Sequence, residues 1–196
     1  GMINFRDAEV LQVLDFYQEL GRRTILRPPA LPRNRVSVRN EKEVSRQEAM
    51  RLIEEGLRVA GVVIVPKGDR FAFALPPEQT NVLNSIREPP NWPGQNNAEI
   101  PPGQIKFIEA AADQVVEISQ ALTGRTFIRP TSLPRGGISI FSQTELSRAQ
   151  ATWLVEAALR LAGVVVVPES DKFAFAVPPA TPLSAYDDDA SGVGKK

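Results

Sequence analysis

No histidine and no cysteine occurs anywhere in the chain. The commonest general bases, thiol nucleophiles and soft metal ligands are therefore missing. Carboxylates alone could hold a hard cation. Their densest run, Asp187-Asp188-Asp189, lacks the spaced ligands and turn glycine of a calcium loop, and it reads as a solvated tail. Gly136-Gly137 invites a phosphate-loop reading. It fails the context such a loop needs, because it leads into a strand-type run instead of opening a helix, and a hairpin turn is expected. No catalytic residue, metal or cofactor is expected, and the chain reads as a non-enzyme.

Two sets of side chains remain that could hold a macromolecule. Phe71 and Phe73, with Phe173 and Phe175, alternate along strand-type runs, as base-stacking aromatics do on RNA-binding sheets. The chain carries 23 basic and 23 acidic residues and no formal net charge. Without a basic surplus, core packing is the expected role of these rings. Arg27, Arg33, Arg129 and Arg135 flank a proline-rich loop that occurs twice. As solvated surface they keep that loop soluble; as a contact used twice they would hold a partner. They are the candidate protein-interaction residues.

The elements that must position these side chains come in duplicate. Ile3 to Pro77 lies on Ile105 to Pro179 without a gap, at the offset that takes Phe5 to Phe107. Arg27-Pro28 then meets Arg129-Pro130, Leu31-Pro32-Arg33 meets Leu133-Pro134-Arg135, and Phe71-Ala72-Phe73-Ala74 meets Phe173-Ala174-Phe175-Ala176. About half the aligned positions are identical. A repeat of about 75 residues is too long for a solenoid unit and fits a small domain. Two domains are expected, over 1–80 and 103–181, joined by a Pro- and Asn-rich linker over 81–102 and followed by a flexible polar tail over 182–196. Each copy carries its own apolar set, so the two are expected to fold independently, with little buried by the linker. Val82, Leu83 and Ile86 could form one helical turn, and Trp92 could pin the linker to a domain.

Within a copy the order of elements is legible. Ile3-Asn4-Phe5 alternates as a strand does. Asp7 is a candidate cap for a helix whose apolar stripe is Val10, Val13, Leu14, Tyr17 and Leu20. Thr24-Ile25-Leu26 and Val36-Ser37-Val38 read as strands on either side of the prolines, which lack the donor a ladder needs. Ser45 with Glu48, and Ser147 with Gln150, form capping boxes before a second amphipathic helix. On that helix Glu54 with Arg58, and Glu156 with Arg160, stand four apart in the favourable order of a solvated ion pair. Gly61 and Gly163 stop the helix in the left-handed region. Val62 to Val65, a turn at Lys67-Gly68-Asp69, and the Phe-Ala-Phe run complete the unit. The expected fold class is α+β: two tandem β-α-β-β-α-β-β domains, each a small sheet with two helices on one face.

This arrangement resembles the short N-domain repeat of secretins, the outer-membrane channels of type II and type III secretion and type IV pilus systems. The resemblance rests on Asn4-Phe5-Arg6-Asp7-Ala8 leading into a helix, Thr24-Ile25-Leu26-Arg27-Pro28, Val36-Ser37-Val38, Val44 to Ala49 with its Leu-rich helix, and Gly61-Val62-Val63. In the second copy it rests on Ile105-Lys106-Phe107, Gly124 to Ile128, and Leu146-Ser147 to Gly163. It implies a KH-like fold, ring assembly, and contacts with other envelope or secretion proteins or with copies of itself, self-association being weak. It also implies a periplasmic or outer-membrane-associated location, with no direct membrane span and a signal peptide trimmed ahead of Gly1-Met2. The Leu-Pro-Arg loop departs from the family's usual wording, and a polar tail, not a channel domain, follows the second copy. The alternative reading is a tandem KH-like nucleic-acid-binding protein. That reading calls for a basic face and a Gly-x-x-Gly loop between two helices, and neither is found.

Overall fold

The structure, a computed structural model, describes residues 2–40, 42–88 and 100–179. Trp92 and Asp187-Asp188-Asp189 lie outside the described residues, as do the middle of the linker and the tail. The first copy runs β1 (Asn4–Glu9), α1 (Val10–Gly21), β2 (Thr24–Leu26), β3 (Arg35–Arg39), α2 (Arg46–Val59), β4 (Val63–Lys67) and β5 (Phe71–Leu75). The second runs β6 (Lys106–Ala110), α3 (Ala112–Thr123), β7 (Thr126–Ile128), β8 (Ile138–Phe141), α4 (Arg148–Leu161), β9 (Val165–Pro168) and β10 (Phe173–Val177). The fold is α+β, and both copies have the β-α-β-β-α-β-β order.

Each copy divides its strands between two sheets. β1 pairs antiparallel with β3, and β6 with β8. The other three strands form a sheet with the last strand central: β2-β5-β4 and β7-β10-β9, the first pair parallel and the second antiparallel. Each two-stranded sheet carries the same local irregularity. β1 and β6 each carry a bulge at which Asp7 (φ 52°) and Glu109 (φ 50°) enter the left-handed region. Their backbone N–H groups donate to Ser37 Oγ and Ser139 Oγ, both at 3.0 Å. The serine in the Val-Ser-Val and Ile-Ser-Ile runs therefore satisfies the donor that the bulge releases from the ladder.

Helix caps follow the expected chemistry with one correction. Ser45 and Ser147 accept from the N–H of Glu48 and Gln150, whose side chains accept in turn from the cap N–H groups. Gly61 and Gly163 adopt φ of 87° and 80° just past α2 and α4. Asp7, however, does not cap α1. It sits inside β1, and the cap is Glu9, whose N–H donates to Gln12 Oε1. The bulge displaces Asp7 from the helix start.

The expected ion pair on α2 also resolves differently. Arg58 pairs with Glu55 at 2.6 Å, and Glu54 accepts from the Tyr17 hydroxyl of α1 at 2.5 Å. Burial, then this hydrogen bond, push the Tyr17 phenol above its ordinary range. In the second copy Ser119 stands in Tyr17's place. Its Oγ is buried with no hydrogen-bond partner among the described residues.

Each three-stranded sheet packs one face on its own helices. Ile25, Ala74 and Ile64 meet α1 and α2 through Val13, Leu14, Tyr17, Ile53 and Leu57. Phe127, Ala174, Ala176 and Val166 do the same for α3 and α4. The opposite face of the first sheet is buried as well. Leu26, Phe71, Phe73 and Leu75 join one continuous apolar cluster with the second copy's core, to which Leu83 and Ile86 add. Pro77–Ser85 is a 3₁₀ segment, so the helical turn expected around Val82 and Leu83 is present. The expectation that the linker buries little is corrected, since Leu83 and Ile86 are both buried.

Candidate interaction surface

The junction between the copies is built on α4. Trp153 stands on its outer face, over the first copy's sheet. Its ring lies 4.8 Å from Phe71 and 6.2 Å from Phe73, tilted on one and edge-on to the other. Such geometries favour contact between the positive edge of one ring and the negative face of another. The indole N–H donates to the carbonyl of Arg87 at 2.9 Å, so the polar tip of the ring is satisfied. Two further bonds flank the ring. Gln143 N–H donates to Thr24 Oγ1 at 3.0 Å, and Arg70 Nη1 donates to the carbonyl of Glu145 at 2.9 Å. Thr24 is thereby buried with its hydroxyl satisfied.

Phe71 and Phe73 are therefore core residues, as their composition context predicts, and neither ring is available to stack on a base. The second copy differs. Strand pairing puts Thr126, Ile128, Phe173 and Phe175 on one face of β7-β10-β9, opposite the face that meets α3 and α4. Phe173 is 45% exposed and Ile128 42%, against 2% for Phe71 and 0% for Leu26 at the equivalent places.

Beside the junction runs a cleft of about 850 Å³. Arg27, Arg33 and Arg35 line it from the first copy, with the Pro28–Pro32 loop; Ile108, Glu109, Gly137 and Ser139 line it from the second. Arg27 is half-buried and pairs with Asp15 at 3.4 Å. Arg33 is exposed. Arg129 pairs with Asp113 and is not among the cleft's lining residues. Arg135 is exposed just before Gly136 and does not line the cleft either. The four arginines thus separate: two share the cleft and two do not, so equivalent positions do not form one repeated site.

Gly136 has its reason in the junction. A Cβ there would stand 2.7 Å from Pro29 Cγ of the first copy, closer than real side chains approach. The first copy has Asn34 at the equivalent place. Likewise Trp153 and Ala157 replace Arg51 and Glu55 on the outer helix face. Those differences between otherwise matching copies are the sequence signal of the junction, and they are found by reading where the copies diverge.

Chemistry is sparse elsewhere. Among the described residues no group of three carboxylates, histidines or cysteines could hold a metal ion. No helix among them is long and apolar enough to cross a membrane.

No protein-family profile matches the chain, and no curated protein matches it by sequence. Among solved structures, the chain is similar to that of XcpQN012, at 16% identity over 87% of this chain and 71% of that one, with a TM-score of 0.34. It is also similar to a dimeric mutant of the N-terminal domain of the secretin XcpQ from Pseudomonas aeruginosa. There the identity is 16% over 83% of this chain and 99% of that one, with a TM-score of 0.36.

Proposed function

We propose that this chain is a non-enzymatic protein-interaction and assembly module of the periplasm, related to secretin N-domains and acting in a secretion or pilus-type envelope system. One observation carries the reading. The fold already docks module on module inside this chain, with a helix of one copy seated on the sheet of the other through Trp153, Phe71 and Phe73. The resemblance of the repeated motifs to secretin N-domains supports the setting. Its partners are other envelope proteins or further copies of the chain, with self-association weak at micromolar concentration. Arg27 and Arg33 in the cleft, and Arg129 and Arg135 outside it, are the proposed contact residues.

The nucleic-acid reading has no observation in its favour, given zero net charge and the burial of Phe71 and Phe73. The test is crosslinking in cells of the full chain and of a variant with all four arginines replaced by Glu. Recovery of periplasmic or outer-membrane proteins by the first and their loss by the second is expected. Cytoplasmic retention, or RNA binding with a steep salt dependence, would replace this reading.

A further inference from the structure

The cleft beside the junction is lined by two well-exposed apolar side chains, one from each copy. Ile108, from β6, is 73% exposed, and Leu11, from α1, is 49% exposed. At the equivalent places the other copy has Arg6 and Asp113, neither of which lines the cleft. The same kind of divergence marks the junction, where Trp153 and Ala157 stand for Arg51 and Glu55. At the junction the exchanged side chains are buried, whereas Ile108 and Leu11 are not. Single exposed apolar residues are ordinary, but two that converge from different copies on one concavity mark a contact. Ile108 also stands in the bulge of β6, and bulges re-aim side chains.

The charges of the cleft narrow its ligand. Arg27, Arg33 and Arg35 share it with the carboxylates of Glu9 and Glu109. Arg33 is exposed and has no hydrogen-bond or ion-pair partner among the described residues. Arg35 holds Asp7 in an exposed pair, and such pairs are weak enough to exchange for a better acceptor. With guanidinium and carboxylate groups nearly balanced, charge alone holds little here. The cleft suits a segment with an apolar side chain for Ile108 and Leu11 and carboxylates for the arginines.

This chain contains such a segment. Tyr186-Asp187-Asp188-Asp189 sets an aromatic residue before three carboxylates. The path to the cleft is short. Val177, at the end of β10, pairs with Val165. Two residues before Val165, a Cβ at Gly163 would stand 3.8 Å from Pro134. Two residues past Pro134 is Gly136, set against Pro29 in the cleft wall. From Pro179 to Tyr186 is seven residues, which span about 23–25 Å when extended. Residues 89–99 fit less well. They hold one carboxylate, Glu99, and are tied at both ends, through the Lys67–Glu88 pair and the Ile100–Leu146 bridge. An acidic segment of another protein has to compete with one tethered beside the cleft, at an effective concentration on the order of millimolar.

We propose that Tyr186-Asp187-Asp188-Asp189 docks in this cleft of its own molecule, Tyr186 against Ile108 and Leu11, the aspartates against Arg33, Arg35 and Arg27. The tail and an acidic segment of a partner then exclude each other. That consequence rests on the interaction-module reading; the docking itself does not.

The test uses the full chain. It has no cysteine, so Ser184→Cys gives a single site for a nitroxide spin label. Expected in dilute solution is paramagnetic broadening of the Ile108 and Leu11 methyl signals. Exchanging the three aspartates for Asn, or adding salt to screen the pairs, should reduce that broadening about fivefold. Ile108→Arg, which installs the first copy's residue at an exposed position, should reduce the broadening at Leu11 likewise and leave the thermal midpoint unchanged. Broadening that survives either exchange overturns the proposal, as does its absence from the cleft. Broadening confined to Ile128 and Phe173 overturns it too, because the tail then covers the β7-β10 face. So does broadening of an isotope-labelled chain by a separate spin-labelled one, which would seat the tail of a second copy. If the tail does not dock while crosslinking still captures envelope proteins through the arginines, the broader reading survives. If it docks and crosslinking captures none, the docking stands and that reading fails.

Discussion

Trp153 of α4 lies with its ring centroid 4.8 Å from that of Phe71, and by this contact the second copy closes a sheet face that belongs to the first. Aromatic pairs of this kind contribute about 0.5–1.5 kcal/mol beyond the area they bury. Replacing Trp153 by Ala should cost about 3–5 kcal/mol. The variant should also bind a hydrophobic dye, because Phe71, Phe73 and Leu26 become accessible together. Denaturant unfolding followed by near-ultraviolet dichroism measures the first effect and dye fluorescence the second. A loss under about 1 kcal/mol would mean that the copies do not depend on the junction.

The same junction predicts a coupling between Gly136 and Pro29. A Cβ at Gly136 would stand 2.7 Å from Pro29 Cγ. Gly136→Ala should destabilise by about 1–3 kcal/mol through overpacking. In the Pro29→Ala background the nearer clash atom, Cγ, is gone and only the Cβ at 3.1 Å remains, so the cost should fall to about 1 kcal/mol or less. A double-mutant cycle from urea midpoints reads this coupling; additive effects would place the strain elsewhere.

How much of this was legible in the sequence divides along one line. What repeats could be read: the element order, the capping boxes at Ser45 and Ser147, and the left-handed stops at Gly61 and Gly163. These depend on local rules that act identically in both copies. The bulge at Asp7 was not legible, since a residue type that caps helices also tolerates the left-handed region, and only the strand pairing decides between the two. The junction lay in what does not repeat. Trp153 for Arg51, Ala157 for Glu55 and Gly136 for Asn34 look like ordinary surface drift until the two copies are placed together. The surroundings of the arginines were not legible for the converse reason: duplication preserved Arg27 and Arg129, but their partners Asp15 and Asp113 do not occupy equivalent positions.

Gly56 supplies a third test, because propensity and packing oppose each other there. A glycine inside a helix such as α2 is about 1 kcal/mol less favourable than alanine. A Cβ at this position would come within 2.3 Å of Val38 Cγ2 on β3. The second copy accepts Ala158 at the equivalent place, opposite Ile140. Packing should win, so that Gly56→Ala lowers stability by about 1–2 kcal/mol, whereas the same change with Val38→Ala should be neutral or stabilising. A stabilised Gly56→Ala single variant would show that β3 yields to the added methyl.

Glu156 gives a prediction with a sign set by pH. Burial raises its carboxyl above the ordinary value of 4.5, and the nearby Arg125, Arg87 and Arg160 offset only part of that rise. A carboxyl whose folded pKa is raised binds its proton more tightly in the native state. Its stabilising contribution is therefore complete below pH 4.5 and is lost as pH rises through the folded value. The first copy manages the equivalent Glu54 differently, through the Tyr17 hydroxyl at 2.5 Å; Ser119 cannot reach as a phenol does. Glu156→Gln keeps the shape and removes the titrating charge. The variant should unfold at higher denaturant than wild type at pH 7, and the gap should close as pH falls through the raised folded value towards the ordinary 4.5. Glu54→Gln should show no such gain, since it replaces the charged acceptor of the Tyr17 hydroxyl with a weaker, neutral amide oxygen. If Glu156→Gln is the less stable protein at pH 7, the three arginines outweigh burial and the carboxylate is held charged.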